Sequence, residues 1–179
     1  MIVGFTGYSV IWGANRNESG LFTTQTTSRT GFRMDHFNDV GIITLSVTID
    51  FSSSVQPIRL PTYITRENEQ GMIVGFGGAP DAPAGSFFAA FPRVTTGTRC
   101  LARWPNVNLA TQFCAEDERL RSDFCARNIG SALTMLNRGV EEIVGIAIDA
   151  HCFTTGQSQP SRYANVMAHR AWILQITGI

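Results

Sequence analysis

Apolar residues in this chain recur mostly at every second position or in short runs, and seldom at the spacing of a helix. Tyr8 to Trp12, Leu21 to Thr27, Val40 to Leu45, Met72 to Phe76, Phe87 to Val94, Ala132 to Leu136 and Ile143 to Ile148 each read as a strand. Glycine, proline and asparagine separate them, most densely in Ala79-Pro80-Asp81-Ala82-Pro83-Ala84-Gly85, a turn-rich loop. Short strands at this density predict an all-β sandwich or barrel. Only the C-terminal end departs: Val166, Ala168, Trp172, Ile173 and Ile176 mark one face of an amphipathic helix. The polar, proline-initiated stretch Leu60 to Glu69 predicts an internal boundary that divides residues 1–69 from 70–179.

A chain of 179 residues buries roughly 70% of the surface its unfolded form exposes, so covalent staples are optional. Charged residues are 16% and balance at 14 basic and 14 acidic. That balance argues against nucleic acid or a membrane surface as partner, since both ask for a clustered basic face. Arg119, Arg121 and Arg127 are scattered among acids. The four cysteines suit an oxidising compartment, although four can pair in three ways. None of Cys100, Cys114, Cys125 and Cys152 forms a Cys-x-x-Cys pair, and His36, His151 and His169 lie far apart, so no metal or cofactor is implied. Structural bridges are expected, with a zinc site and free thiols as the other readings. No apolar run reaches the roughly 20 residues of a membrane span, and residues 1–13 lack the features of a signal peptide. Asn17-Glu18-Ser19 is a glycosylation sequon, consistent with secretion.

Three segments follow one another in the first half: Asn38-Asp39-Val40-Gly41-Ile42-Ile43-Thr44-Leu45, Val55-Gln56-Pro57-Ile58-Arg59-Leu60-Pro61 and Met72-Ile73-Val74-Gly75-Phe76-Gly77. Phe113-Cys114-Ala115, Pro160-Ser161-Arg162-Tyr163-Ala164-Asn165-Val166 and Ala171-Trp172-Ile173 come after them. In this order they resemble the chymotrypsin/trypsin family over nearly the whole chain, with insect members most similar around His36-Phe37-Asn38-Asp39. The resemblance implies a chymotrypsin-like double β-barrel with an incomplete N-terminal barrel, a complete C-terminal barrel and a C-terminal helix. Residues 1–60 offer roughly four strands where the family's first barrel closes with six. Upstream sequence carrying a signal peptide and the missing strands is therefore expected, and Met1 is not expected to be the biological start. The resemblance also implies a bridge from Cys100, placed after the family's intermediate helix, to Cys114, and a second from Cys125 to Cys152.

The family's nucleophile motif, Gly-Asp-Ser-Gly-Gly-Pro-Leu, corresponds to Arg127-Asn128-Ile129-Gly130-Ser131-Ala132-Leu133, with Ile129 at the serine. Acyl transfer of this kind needs a hydroxyl, a histidine to take its proton and a carboxylate to orient the histidine. By the resemblance only the carboxylate, Asp39, survives, because nothing in residues 1–7 is similar to the histidine segment. His36 reads as an exposed loop residue, and His151 and His169 as surface or packing residues. Ser131 is displaced by two residues, and misplacement by even 1 Å costs about 100-fold. Arg127 replaces an oxyanion-site glycine. Asn128 replaces the aspartate that pairs with the family's new N-terminal ammonium, so the echo of that terminus in Met1-Ile2-Val3-Gly4 reads as chance. Asp123 matches the acid at the floor of a trypsin-like specificity pocket. Phe124, Asp149, Ala150 and Ser161 close its surroundings, which makes the acid vestigial; retained binding of a basic side chain is the other reading.

These expectations describe a secreted, extracellular serine protease homologue, not an enzyme, that acts by binding a protein, either an active protease or its substrate. The alternatives are an active trypsin-like serine endopeptidase and a degenerate, truncated product without function.

Overall fold

The computed structural model describes residues 8–12, 23–27, 32–34, 40–45, 48–53, 55–75, 88–117, 129–149 and 159–179. The chain forms two compact units, Met1–Pro57 and Ile58–Ile179. In the first, β1 (Tyr8–Trp12) pairs antiparallel with β2 (Thr23–Thr27), and β3 (Phe32–Met34) with β4 (Gly41–Ile43). At three residues, β3 is too short to show an alternating pattern, and the sequence reading does not include it.

The second unit carries β5 (Met72–Gly75), β6 (Phe88–Ala90), β7 (Arg93–Val94), helix α1 (Gly97–Arg103), β8 (Gln112–Glu116), β9 (Ala132–Asn137), β10 (Val140–Asp149), β11 (Ser161–Asn165) and helix α2 (Val166–Thr177). Its seven strands form one antiparallel sheet in the order β6-β5-β9-β10-β11-β8-β7. The two ends of this order meet. Residues 88–94 pair as β6 with β5 and then as β7 with β8. The residues just before β5 bond back to β7: Gly71 donates to the Pro92 carbonyl at 3.0 Å, Val94 to Glu69 at 2.8 Å and Asn68 to Val94 at 2.9 Å. A closed sheet leaves no edge to template pairing with another chain. Register shifts in β10, at Ile143/Gly145 against β9 and at Ala147/Asp149 against β11, add the twist that curling requires. The second unit forms a curled sheet followed by a C-terminal helix, consistent with the C-terminal barrel and helix expected for it.

Alternation sends one face of each strand inward. Ile73, Val94, Leu133, Met135, Val144, Ala147 and Tyr163 are buried in a single cluster. Gly145 is required by close approach: a Cβ there would lie 2.8 Å from Phe113 Cζ and 3.3 Å from Tyr163 Cβ. Without one, the Phe113 ring lies over the strand and stacks on Tyr163, with centroids 5.5 Å apart. Helix α1 starts at Thr96, whose side chain accepts from the Arg99 N–H, and Glu67 accepts from the Gly97 N–H. A disulfide joins Cys100 to Cys114 and pins α1 to β8. Cys100 lies inside that helix, where the resemblance placed it after the helix.

Two further details differ from the sequence reading. The boundary between compact units falls at Pro57/Ile58, ahead of the division expected at 69/70. The polar stretch after it is attached to the second unit because buried Glu142 takes its hydrogen bonds from Thr62. In α2 the buried face is Val166, His169 and Ile173. Ala168 is exposed because 100° per residue puts it nearly opposite Val166.

Candidate functional site

The chain enters β9 through Ile129-Gly130-Ser131. Gly130 has φ +91°, a conformation that suits glycine. Its N–H donates to the Ala147 carbonyl at 2.8 Å, and the Ala147 N–H donates to the Ser131 carbonyl at 3.0 Å. This turn is therefore bonded to β10 on both sides. Ile129, just outside the bonded pair, is 54% exposed. A sec-butyl group presented at this point offers no lone pair, proton or charge. Ser131 carries the nearest hydroxyl in the sequence, and its backbone is already committed to the β9–β10 ladder.

The far end of β10 lies beside β11. Asp149 forms an ion pair with Arg162 of the neighbouring strand, whose guanidinium lies 5.2 Å from the centroid of the Trp104 ring. Arg103 approaches the same ring at 4.4 Å, and the indole N–H donates to the Pro160 carbonyl at 2.9 Å. Asp149 is thus occupied by a protein cation, while Ser161, next to Arg162, is buried.

The trypsin family model matches residues 5–173. The chain belongs to the trypsin family. No curated protein matches it. In this trypsin-family chain Ile129 occupies the turn that leads into β9, with the backbone bonds just described. Asp39, Asp123, Cys125 and Cys152 lie outside the described residues, as do Arg127, Asn128, Phe124, Ala150, His36, His151, Met1 to Gly4 and the Asn17 sequon. His169 is buried in α2, in keeping with a packing residue.

A second feature, at the other end of β9, has no local signature in the sequence. A groove of about 660 Å³ opens between the stretch 59–69 and the β9–β10 hairpin. At its base, Glu142 is only 3% exposed. One carboxylate oxygen accepts from the Thr62 N–H at 3.1 Å. The other accepts from the Thr62 hydroxyl at 2.9 Å and the Asn137 amide at 3.2 Å, and that amide also donates to Thr62 Oγ1 at 2.9 Å. Burial acts to raise the Glu142 carboxyl, but the Thr62 and Asn137 hydrogen bonds and the nearby Arg59 outweigh it and hold it below the ordinary glutamate range. Burial, with Glu69 and Glu142, pushes the Tyr63 phenol up, against the opposing effect of Arg66.

Three arginines line this groove, Arg59 and Arg66 from the stretch 59–69 and Arg138 from the turn between β9 and β10. All three are exposed, and their guanidiniums make no ion pair among the described residues. Arg138 and Gly139 form the tip of the hairpin with φ +51° and +79°. Both central positions of such a two-residue turn need positive φ, which favours asparagine or glycine at the first. An arginine there costs about 1 kcal/mol of backbone strain. Only tertiary structure assembles these cations, so scattered arginines in the sequence gave no sign of them.

Proposed function

We propose that this trypsin-family chain is a non-catalytic protease homologue that acts by binding another protein in a secreted, extracellular setting. The observation that carries the reading is Ile129, which stands where the family's motif has its nucleophile. Covalent acyl transfer needs an atom there that attacks a carbonyl and a base that takes its proton. A hydrocarbon supplies neither function. The neighbouring substitutions act in the same direction. Arg127 stands at an oxyanion-site glycine and Asn128 at the acid that completes activation. Asp149, where the family usually has a tryptophan, is held by Arg162. The Cys100–Cys114 bridge favours an oxidising compartment.

With the chemistry gone and the barrel retained, the remaining capacity is surface recognition. The partner is an active protease or its substrate. Peptidase and esterase turnover of the native chain and of Ile129→Ser test this reading. Neither is expected to exceed the uncatalysed rate, because one hydroxyl leaves the base and the oxyanion glycine unrestored. Turnover by the single variant would show that the rest of the machinery is intact and would overturn the proposal.

A further inference from the structure

We propose that the groove formed by Arg59, Tyr63, Arg66, Leu136 and Arg138 is a docking site for an acidic segment of a partner protein. The inference supplies the partner chemistry for the binding role proposed above and rests on that reading. It stands on different residues, however. Ala132 and Asn137 are at opposite ends of β9, about 17 Å apart at the rise of an extended strand, so the groove is removed from the turn at Ile129.

Charge selects the ligand. The groove's buried carboxylate, Glu142, takes hydrogen bonds from the neutral donors of Thr62 and Asn137 and is turned away from solvent, while the half-buried Glu69 accepts from the Arg66 N–H at 2.9 Å. The guanidiniums of Arg59, Arg66 and Arg138 make no ion pair among the described residues and are exposed, so three exposed cations line the groove against two carboxylates, one buried and one half-buried. The charge in excess and facing solvent is therefore positive, and guanidinium forks match carboxylates in shape as well as charge. Leu136, 75% exposed on the hairpin arm beside them, and the half-buried Tyr63 ring add apolar surface. Apolar surface between cations suits a peptide in which acidic and apolar side chains alternate. It suits a uniformly charged polymer poorly, and the chain's balance of 14 basic and 14 acidic residues gives a polyanion no extended basic face. Arg138 supplies an independent observation. A strained backbone position that glycine would occupy at lower energy holds a long cation at the groove.

Fluorescence anisotropy tests the proposal with the full chain and a fluorescein-labelled dodecapeptide alternating Glu and Leu. Saturable binding is expected that weakens as salt rises, while the Lys/Leu counterpart does not bind. Arg66→Ala and Arg138→Gly should each weaken binding about three- to fivefold, the scale of a partly exposed charge pair. Thermal unfolding is the control, because Arg138→Gly relieves strain and should unfold no earlier than the parent. A loss of affinity without a loss of stability then supports docking through the guanidinium. Absence of saturable binding, or binding unchanged in both variants, would overturn the proposal. So would equally tight binding of a sulfated oligosaccharide. None of these results alters whether Ile129 leaves the chain inert, which is read by turnover and by labelling of an activated hydroxyl.

Discussion

Replacing Glu142 should be among the most damaging single changes in the second unit, although it removes a polar residue. Its carboxylate is 3% exposed and accepts three hydrogen bonds, two from Thr62 and one from Asn137. Hydrogen bonds to a charged group contribute about 1.5–3 kcal/mol each. Thr62 is exposed and recovers water when its acceptor is lost, so the sum is discounted and Glu142→Ala is expected to cost about 2–3 kcal/mol. Glu142→Gln keeps the shape but turns an amide N–H₂ toward a donor, and about 1–2 kcal/mol is expected. Urea unfolding followed by tryptophan fluorescence reads both values, since Trp104 and Trp172 lie in this unit. With a slope of about 2 kcal/mol per molar, the alanine midpoint should drop by about 1 M. The pH dependence gives a second reading. The carboxyl is depressed in the folded state, so its contribution is present above the unfolded glutamate value of about 4.3 and is lost as pH falls through the lower folded value. The gap between parent and Glu142→Gln should therefore close in acid. A midpoint shift under about 0.2 M, or a gap that is constant with pH, would refute the assignment of Glu142 as the tie between the stretch 59–69 and β10.

Other consequences are open to the same measurement. The Cys100–Cys114 bridge closes a loop of sequence separation 14, and replacing both cysteines by serine should cost about 3 kcal/mol by chain entropy; an unchanged midpoint would contradict that. Gly145→Ala puts a methyl 2.8 Å from the Phe113 ring, and about 1–3 kcal/mol of overpacking is expected, read equally as loss of the near-ultraviolet dichroism of the Phe113–Tyr163 stack. Arg138→Gly should raise stability by about 1 kcal/mol through release of the positive φ; destabilisation would mean that the arginine side chain packs in a way its exposure does not suggest.

How much of this was legible beforehand depends on the type of signal. Strands with clear alternation were readable, and β1 matches its expected limits, Tyr8–Trp12. β9 and β10 extend beyond theirs because the hairpin tip at Arg138-Gly139 continues the ladder through Asn137 and Val140. β8 and β11 carry buried polar groups, Gln112 and Ser161, which spoil a hydropathy pattern; only the family's motifs pointed to them. The Cys100–Cys114 bridge likewise came from the resemblance, since four cysteines alone leave three pairings open. The stretch Leu60 to Glu69 read as a linker because it is polar. Its polarity instead satisfies Glu142, a carboxylate 80 residues away in sequence. The Arg59, Arg66 and Arg138 groove was invisible for the same reason: its cations come from the segment before β5 and from a turn between β9 and β10. Nothing local in the sequence links them. Ile129 was legible as a departure from the family's motif, and the structure adds its exposure and the backbone bonds beside it.

The central claim is that a trypsin-family barrel here carries no activated hydroxyl. Incubation of the native chain with a fluorophosphonate probe, followed by intact-mass measurement, tests it most directly, because the probe requires only a nucleophile with its base and no knowledge of the substrate. The mass should remain that of the unmodified chain. Addition of one probe per molecule at Ser131, lost when the protein is unfolded before labelling, would mean that the nucleophile has moved two residues along the chain and that the protein is an enzyme.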